Sequence, residues 1–90
     1  MQLLKAPPGR HRFLPEEVEL MARLEHEQWM AERTGERWTH DPERKDAARR
    51  THPDLIPWEA LSEEARAKNR RAVEALPALL ARAGFQVYRP

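Results

Sequence analysis

Residues 24 to 62 read LEHEQWMAERTGERWTHDPERKDAARRTHPDLIPWEALS and carry all three tryptophans of the chain, Trp29, Trp38 and Trp58. The stretch opens in helical periodicity, loses it after Gly35, and regains it only after Ser62. Between those points lie Pro42, Pro53 and Pro57, which break any continuous helix. The pattern predicts a mainly α, small α+β fold: two main helices, a long structured loop between them, and a short C-terminal strand.

Working upstream, Pro15 suits a first helical position, and Glu16 and Glu17 follow at the positive end of the helix macrodipole. The helix is predicted to run to about Arg33 and to stop before Gly35. Val18, Met21, Ala22, Glu25 and Trp29 fall within one arc, with His26 and Arg33 at its edge. His26, Trp29 and Arg33 therefore form a strip of imidazole, indole and guanidinium.

From Gly35 to Leu61 the sequence is loop-like. Asp41-Pro42 is placed to cap a short helical segment over Glu43 to Arg49, and His52-Pro53 and Ile56-Pro57 force extended backbone before each proline. Loops longer than about 12 to 15 residues in compact domains are commonly functional, and Trp38, Leu55, Ile56 and Trp58 anchor this one.

Downstream, Ser62 is an N-cap, and Ala65, Asn69, Ala72, Val73, Leu76 and Leu80 make the stripe of a second helix. Pro77 should kink or restart it, and Gly84 is placed to close it. Phe85 to Tyr88 alternate as a short strand that needs a partner edge, from the N-terminal arm or from another chain. The arm is residues 1–13, broken by Pro7, Pro8 and Gly9 and docking through Leu3, Leu4 and Phe13. The domain proper is residues 14–90.

Ninety residues make one domain with a thin core. Sixteen Lys+Arg against 15 Asp+Glu leave a formal charge of +1, so no global field draws the chain to nucleic acid or an anionic membrane. Cysteine is absent, which removes disulfides, thiolate metal sites and thiol nucleophiles. With no apolar run of about 18 residues and no signal-peptide core, the expectation is a soluble cytoplasmic protein.

The polar groups around the tryptophans favour binding over catalysis. Trp29 with Arg33 four residues on would stack a purine and neutralise a phosphate or carboxylate, or is a core indole under a surface arginine. His52, pinned by Pro53, either donates to a ligand or stabilises its turn. Asn69 in an apolar stripe must find partners, in the loop or on a ligand. The four histidines, His11, His26, His40 and His52, lack zinc-site spacing, so no metal and no cofactor is expected. Ser62 reads as a cap, and Thr34, Thr39 and Thr51 have no histidine positioned to activate them. The basic runs Arg44 to Arg50 and Arg66 to Arg71 could track single-stranded nucleic acid, but a nearly equal number of acids and i,i+4 pairs such as Glu64 with Lys68 favour solvated faces.

Several separate anchors resemble the ryanodine-receptor repeat, or RyR domain: His26-x-x-Trp29, Trp38, Pro42-x-Arg44, Asp46, His52-Pro53-x-Leu55, Pro57-Trp58, Leu61, Asn69 and Leu76-Pro77. The resemblance covers Val18 to Gly84 and is to a stand-alone single repeat of the bacterial or phage type. The family's Gly-Trp-x-Tyr-Gly is here Arg37-Trp38-Thr39-His40-Asp41, and the stretch from Trp38 to His52 is one residue longer.

The resemblance implies a non-enzymatic module that binds an adenine-nucleotide or ADP-ribose-derived signal in nucleotide signalling or antiviral defence, as a sensor or by sequestration. It implies a site of Trp29 as stacking platform, Arg33 as anion contact, and His52 and Asn69 as hydrogen-bonding groups, with His26 and Trp38 beside them. Asp54 stands where one channel repeat has a basic residue, and that contact is not carried over. Because the channels pair their repeats, a homodimer or higher homo-oligomer is implied. The alternative is an assembly module with no small ligand.

Overall fold

The computed structural model describes the backbone of residues 2–5 and 12–88 and the side chains of residues 12–85. Pro7, Pro8, Gly9 and His11, and the side chains of Leu3 and Leu4, lie outside these. The elements are β1 (Gln2–Lys5), α1 (Pro15–Gly35), β2 (Thr39–His40), β3 (Thr51–His52), a 3₁₀ turn (Trp58–Ala60), α2 (Glu63–Glu74), α3 (Leu76–Arg82) and β4 (Phe85–Tyr88). No helix among the described residues is long and apolar enough to cross a membrane.

α1 starts as Pro15 predicts, and Glu17 reaches back to accept the Leu14 amide at 2.7 Å, satisfying one orphan donor of the first turn. Its end differs from expectation. Gly35 is the last helical residue rather than the stop. The chain leaves through a Schellman turn in which the Trp38 amide donates to the Arg33 carbonyl at 2.9 Å and the Arg37 amide to Thr34 at 3.0 Å. The left-handed position of that turn, which favours glycine, is held by Arg37 at φ 66°.

The loop is not strandless, and residues 43–49 are not helical. β2 and β3 pair in parallel, with Thr39 opposite Thr51 and His40 opposite His52. Between them, Asp46 and Thr51 bridge across a tight turn, and Arg50 at its corner also takes a left-handed φ of 56°. The expected helix is lost to side-chain competition for its amides. Asp41 accepts from the Glu43 amide, and Asp46 accepts from Ala48 and Arg49, which closes turns instead of a helical start. The Arg50 guanidinium donates to the Glu36 carbonyl at 2.8 Å and ties this turn to the end of α1.

Ser62 caps α2 through its hydroxyl, which accepts from Ala65 at 3.1 Å, and Pro77 begins a separate helix, α3, rather than kinking α2. Gly84 follows α3 at φ 88°, a left-handed conformation that closes the helix. β4 pairs antiparallel with β1, with Leu3 opposite Val87, so the N-terminal arm supplies the edge that the last strand requires.

The core lies between α1, α2 and the 3₁₀ turn: Val18, Ala22, Trp58, Leu61 and Val73 are buried, with Phe13, Met21, Ile56 and Ala65 packed around them. Trp58 is a core residue whose indole N–H donates to Glu19 at 3.2 Å. Glu19 also accepts from Arg70 at 2.6 Å, and Arg70 lies over the Trp58 ring and bonds Glu63. The hydrogen bond from Arg70 holds the Glu19 carboxyl below its ordinary value, against the opposing effect of its partial burial.

Candidate functional site

Three rings of different burial run outward from this core toward a cleft between α1 and α2. His26 is 3% exposed and sits in the middle of the buried face of α1, not at its edge. Ranking imidazole as polar hides this from a periodicity argument. Burial is tolerated because Nε2–H donates to the Ile56 carbonyl at 2.7 Å, which fixes both the tautomer and the loop. The His26 ring stacks with Trp29 at 5.7 Å and 30°, and Trp29 meets the His52 ring edge-on at 4.9 Å and 77°. Trp29 is half-buried, with part of its indole open to the cleft.

β3 delivers His52 to this position. The Asp54 amide donates to His52 Nδ1 at 3.0 Å, so the neutral ring carries its proton on Nε2 and is a donor there. Burial pushes the His52 pKa down, partly opposed by the Asp54 carboxylate; Lys45, Lys68 and Arg33 push it further down. Asn69 bonds neither loop nor strand: its amide nitrogen donates to the Ala65 carbonyl of its own helix at 3.0 Å, which leaves the amide oxygen as the group to offer.

Trp29, His26, His52 and Asn69 thus line one cleft of about 370 Å³, within the roughly 300–1,000 Å³ of small-molecule sites. Arg33 and Trp38 do not line it. The Arg33 guanidinium lies 5.4 Å from the Trp38 ring centre and pairs with Glu36 at 3.0 Å, so both side chains complete the helix end. In a Schellman turn these two residues occupy the positions whose side chains ordinarily touch, which is why the strip read from α1 alone is broken at Arg33.

Sequence reasoning missed the charged rim of Glu25, Asp54 and Lys68. Glu25 and Lys68 sit on the flanks of two helices and come to line the same cleft only after packing. The signal for Asp54 was its place two residues after His52. Glu64 does not pair with Lys68; Glu63 instead binds Arg66 and Arg70. Among the described residues no group of three or more His, Cys, Asp or Glu converges as a metal site would.

A helical pair with an aromatic cleft, carried on a small α+β frame, is the class of module that this geometry defines. The model of the RyR domain matches residues 11–89, and the chain belongs to that family. No curated protein matches it.

Proposed function

We propose that this RyR domain is a non-catalytic binding module whose α1/α2 cleft takes an adenine-nucleotide or ADP-ribose-derived signal. It would work as a cytoplasmic sensor or sequestering protein of the bacterial or phage type, in nucleotide signalling or antiviral defence. The observation that carries the reading is the half-open indole of Trp29, with a donor on His52 and an amide oxygen on Asn69 around it. A flat heteroaromatic base meets all three needs at once: a face to stack, an acceptor for the imidazole N–H and a donor for the amide.

Calorimetric titration with ATP, ADP-ribose and cyclic ADP-ribose tests it. Binding that Trp29→Ala weakens by roughly 1 to 3 kcal/mol, the usual loss for a stacked base, supports the reading. No heat with any of them, or an affinity indifferent to Trp29→Ala, ends it.

A second reading is homo-oligomeric assembly. Leu20, Leu24 and Leu79 are 57%, 52% and 58% exposed, and an apolar groove of about 330 Å³ between Met21, Leu24, Val73 and Leu76 adjoins the cleft. An exposed apolar groove of this kind suits a contact surface where it is continuous with neighbouring leucines. Light scattering decides this: a monomer at high concentration removes it, and a dimer that Leu24→Glu dissociates supports it.

A further inference from the structure

The cleft does not end at Asn69. Asp54, Ala65 and Lys68 line both it and a second cleft of about 280 Å³ that continues along α2 to Ser62, Glu64 and Arg71. At that volume the extension falls just below the usual range for an independent small-molecule site, but it suits the remainder of a ligand already seated next door.

Its chemistry differs from that of the aromatic half. Lys68 and Arg71 are three residues apart, hence on one face of α2, and neither makes a salt bridge among the described residues. Arg66 and Arg70, by contrast, are held by Glu63, and Arg33 is held by Glu36. Asp54 stands at the junction, and its carboxylate makes no salt bridge among the described residues either; Glu64 forms the outer wall. The aromatic half thus supplies a stacking face, Asp54 and Lys68 are shared by the two halves, and Arg71 belongs to the extension alone. The two carboxylates offset the cations, so the extension is a poor trap for a free inorganic anion and accepts one only when it is tethered to something the rest of the cleft holds.

We infer that the site is bipartite and takes a ribonucleotide: the base lies against Trp29, the sugar cis-diol donates to the Asp54 carboxylate, and the phosphate is met by Lys68 and Arg71. Arg33 has no part in it. This rests on the proposed nucleotide reading and names which part of the ligand each half recognises. A carboxylate accepting from both hydroxyls of a diol separates ribose from deoxyribose, and cations three residues apart bracket a single phosphate.

The test is titration of the full chain with ADP-ribose, adenosine and 2′-deoxyadenosine, monitored by tryptophan fluorescence. Expected results are tighter binding of ADP-ribose than of adenosine, and loss of about tenfold in ADP-ribose affinity, or 1.4 kcal/mol, in the Lys68→Gln, Arg71→Gln double variant with adenosine unaffected. Asp54→Asn should abolish the preference for adenosine over its 2′-deoxy analogue. Unchanged melting of these surface variants shows that the effect lies in binding. If ADP-ribose binds and Trp29→Ala weakens it, but the double variant does not or Arg33→Gln does, the bipartite site is wrong while the nucleotide reading stands. If the unmodified chain binds none of the three, both fall.

Discussion

The imidazole of His26 and the carbonyl of Ile56, thirty residues apart, meet at 2.7 Å in the interior and fasten the long loop to the first helix. Ile56 precedes a proline in extended backbone, so its carbonyl has no helical or strand partner. His26 supplies the donor and also supports the inner face of Trp29.

Replacing His26 should therefore cost stability and loosen the cleft together. His26→Ala leaves a buried carbonyl unsatisfied, a penalty of about 1 to 3 kcal/mol, and opens a cavity beside Trp58 and Trp29. Urea denaturation should show the loss. His26→Gln, which keeps a donor at similar reach, should recover part of it.

The three indoles should respond differently to truncation. Trp58→Ala removes a ring that is 5% exposed and should cost about 3 to 5 kcal/mol, enough to unfold much of a domain this small. Trp29→Ala, which removes a half-open ring, should cost clearly less. Equal losses in denaturant would mean that Trp29 belongs to the core and is not kept for a guest.

Arg37 offers a gain. Its φ of 66° is one that a side chain disfavours, and it occupies the left-handed position of a Schellman turn that ordinarily favours glycine. Arg37→Gly should relieve about 1 kcal/mol of left-handed strain, offset in part by the extra freedom glycine has when unfolded, and raise the melting temperature by a few degrees. A fall in melting temperature would show that the arginine side chain makes a compensating contact.

Acid should weaken both fold and cleft through His52. Burial lowers its pKa in the folded state, so below the ordinary value of 6.5 the unfolded chain binds the proton more readily. The contribution is complete above pH 6.5 and declines as pH falls toward the folded pKa, where protonation also breaks the bond from the Asp54 amide to Nδ1. Stability followed from pH 8 to pH 5 should drop, and His52→Gln should flatten the drop in that window. Glu19, lowered by Arg70, adds a second loss only below its ordinary 4.5.

Much of the fold was legible because its signals are local. Pro15, Ser62, Pro77 and Gly84 each act within one turn, and each sits at the boundary its chemistry predicts. The two-residue strands at Thr39–His40 and Thr51–His52 were not, since so short a strand has no period to detect. The end of α1 was misjudged because Gly35 drew the stop that Arg37 makes. In the cleft, Trp29, His52 and Asn69 were found from residue type and from family anchors. Glu25 and Lys68 were not, because no spacing along the chain reveals which flanks of two helices will face each other, and Asp54, two residues past His52, joins them from the loop.

The turn closed by Asp46 and Thr51 has a consequence for engineering. Its bridge holds the two ends of the turn together and the Arg50 clasp on Glu36 ties it to the end of α1, so a change in the exposed residues 47–49 is expected to stay outside the cleft. A dye, an affinity handle or a fused reporter spliced there would ride on the molecule while leaving the aromatic recess as it was.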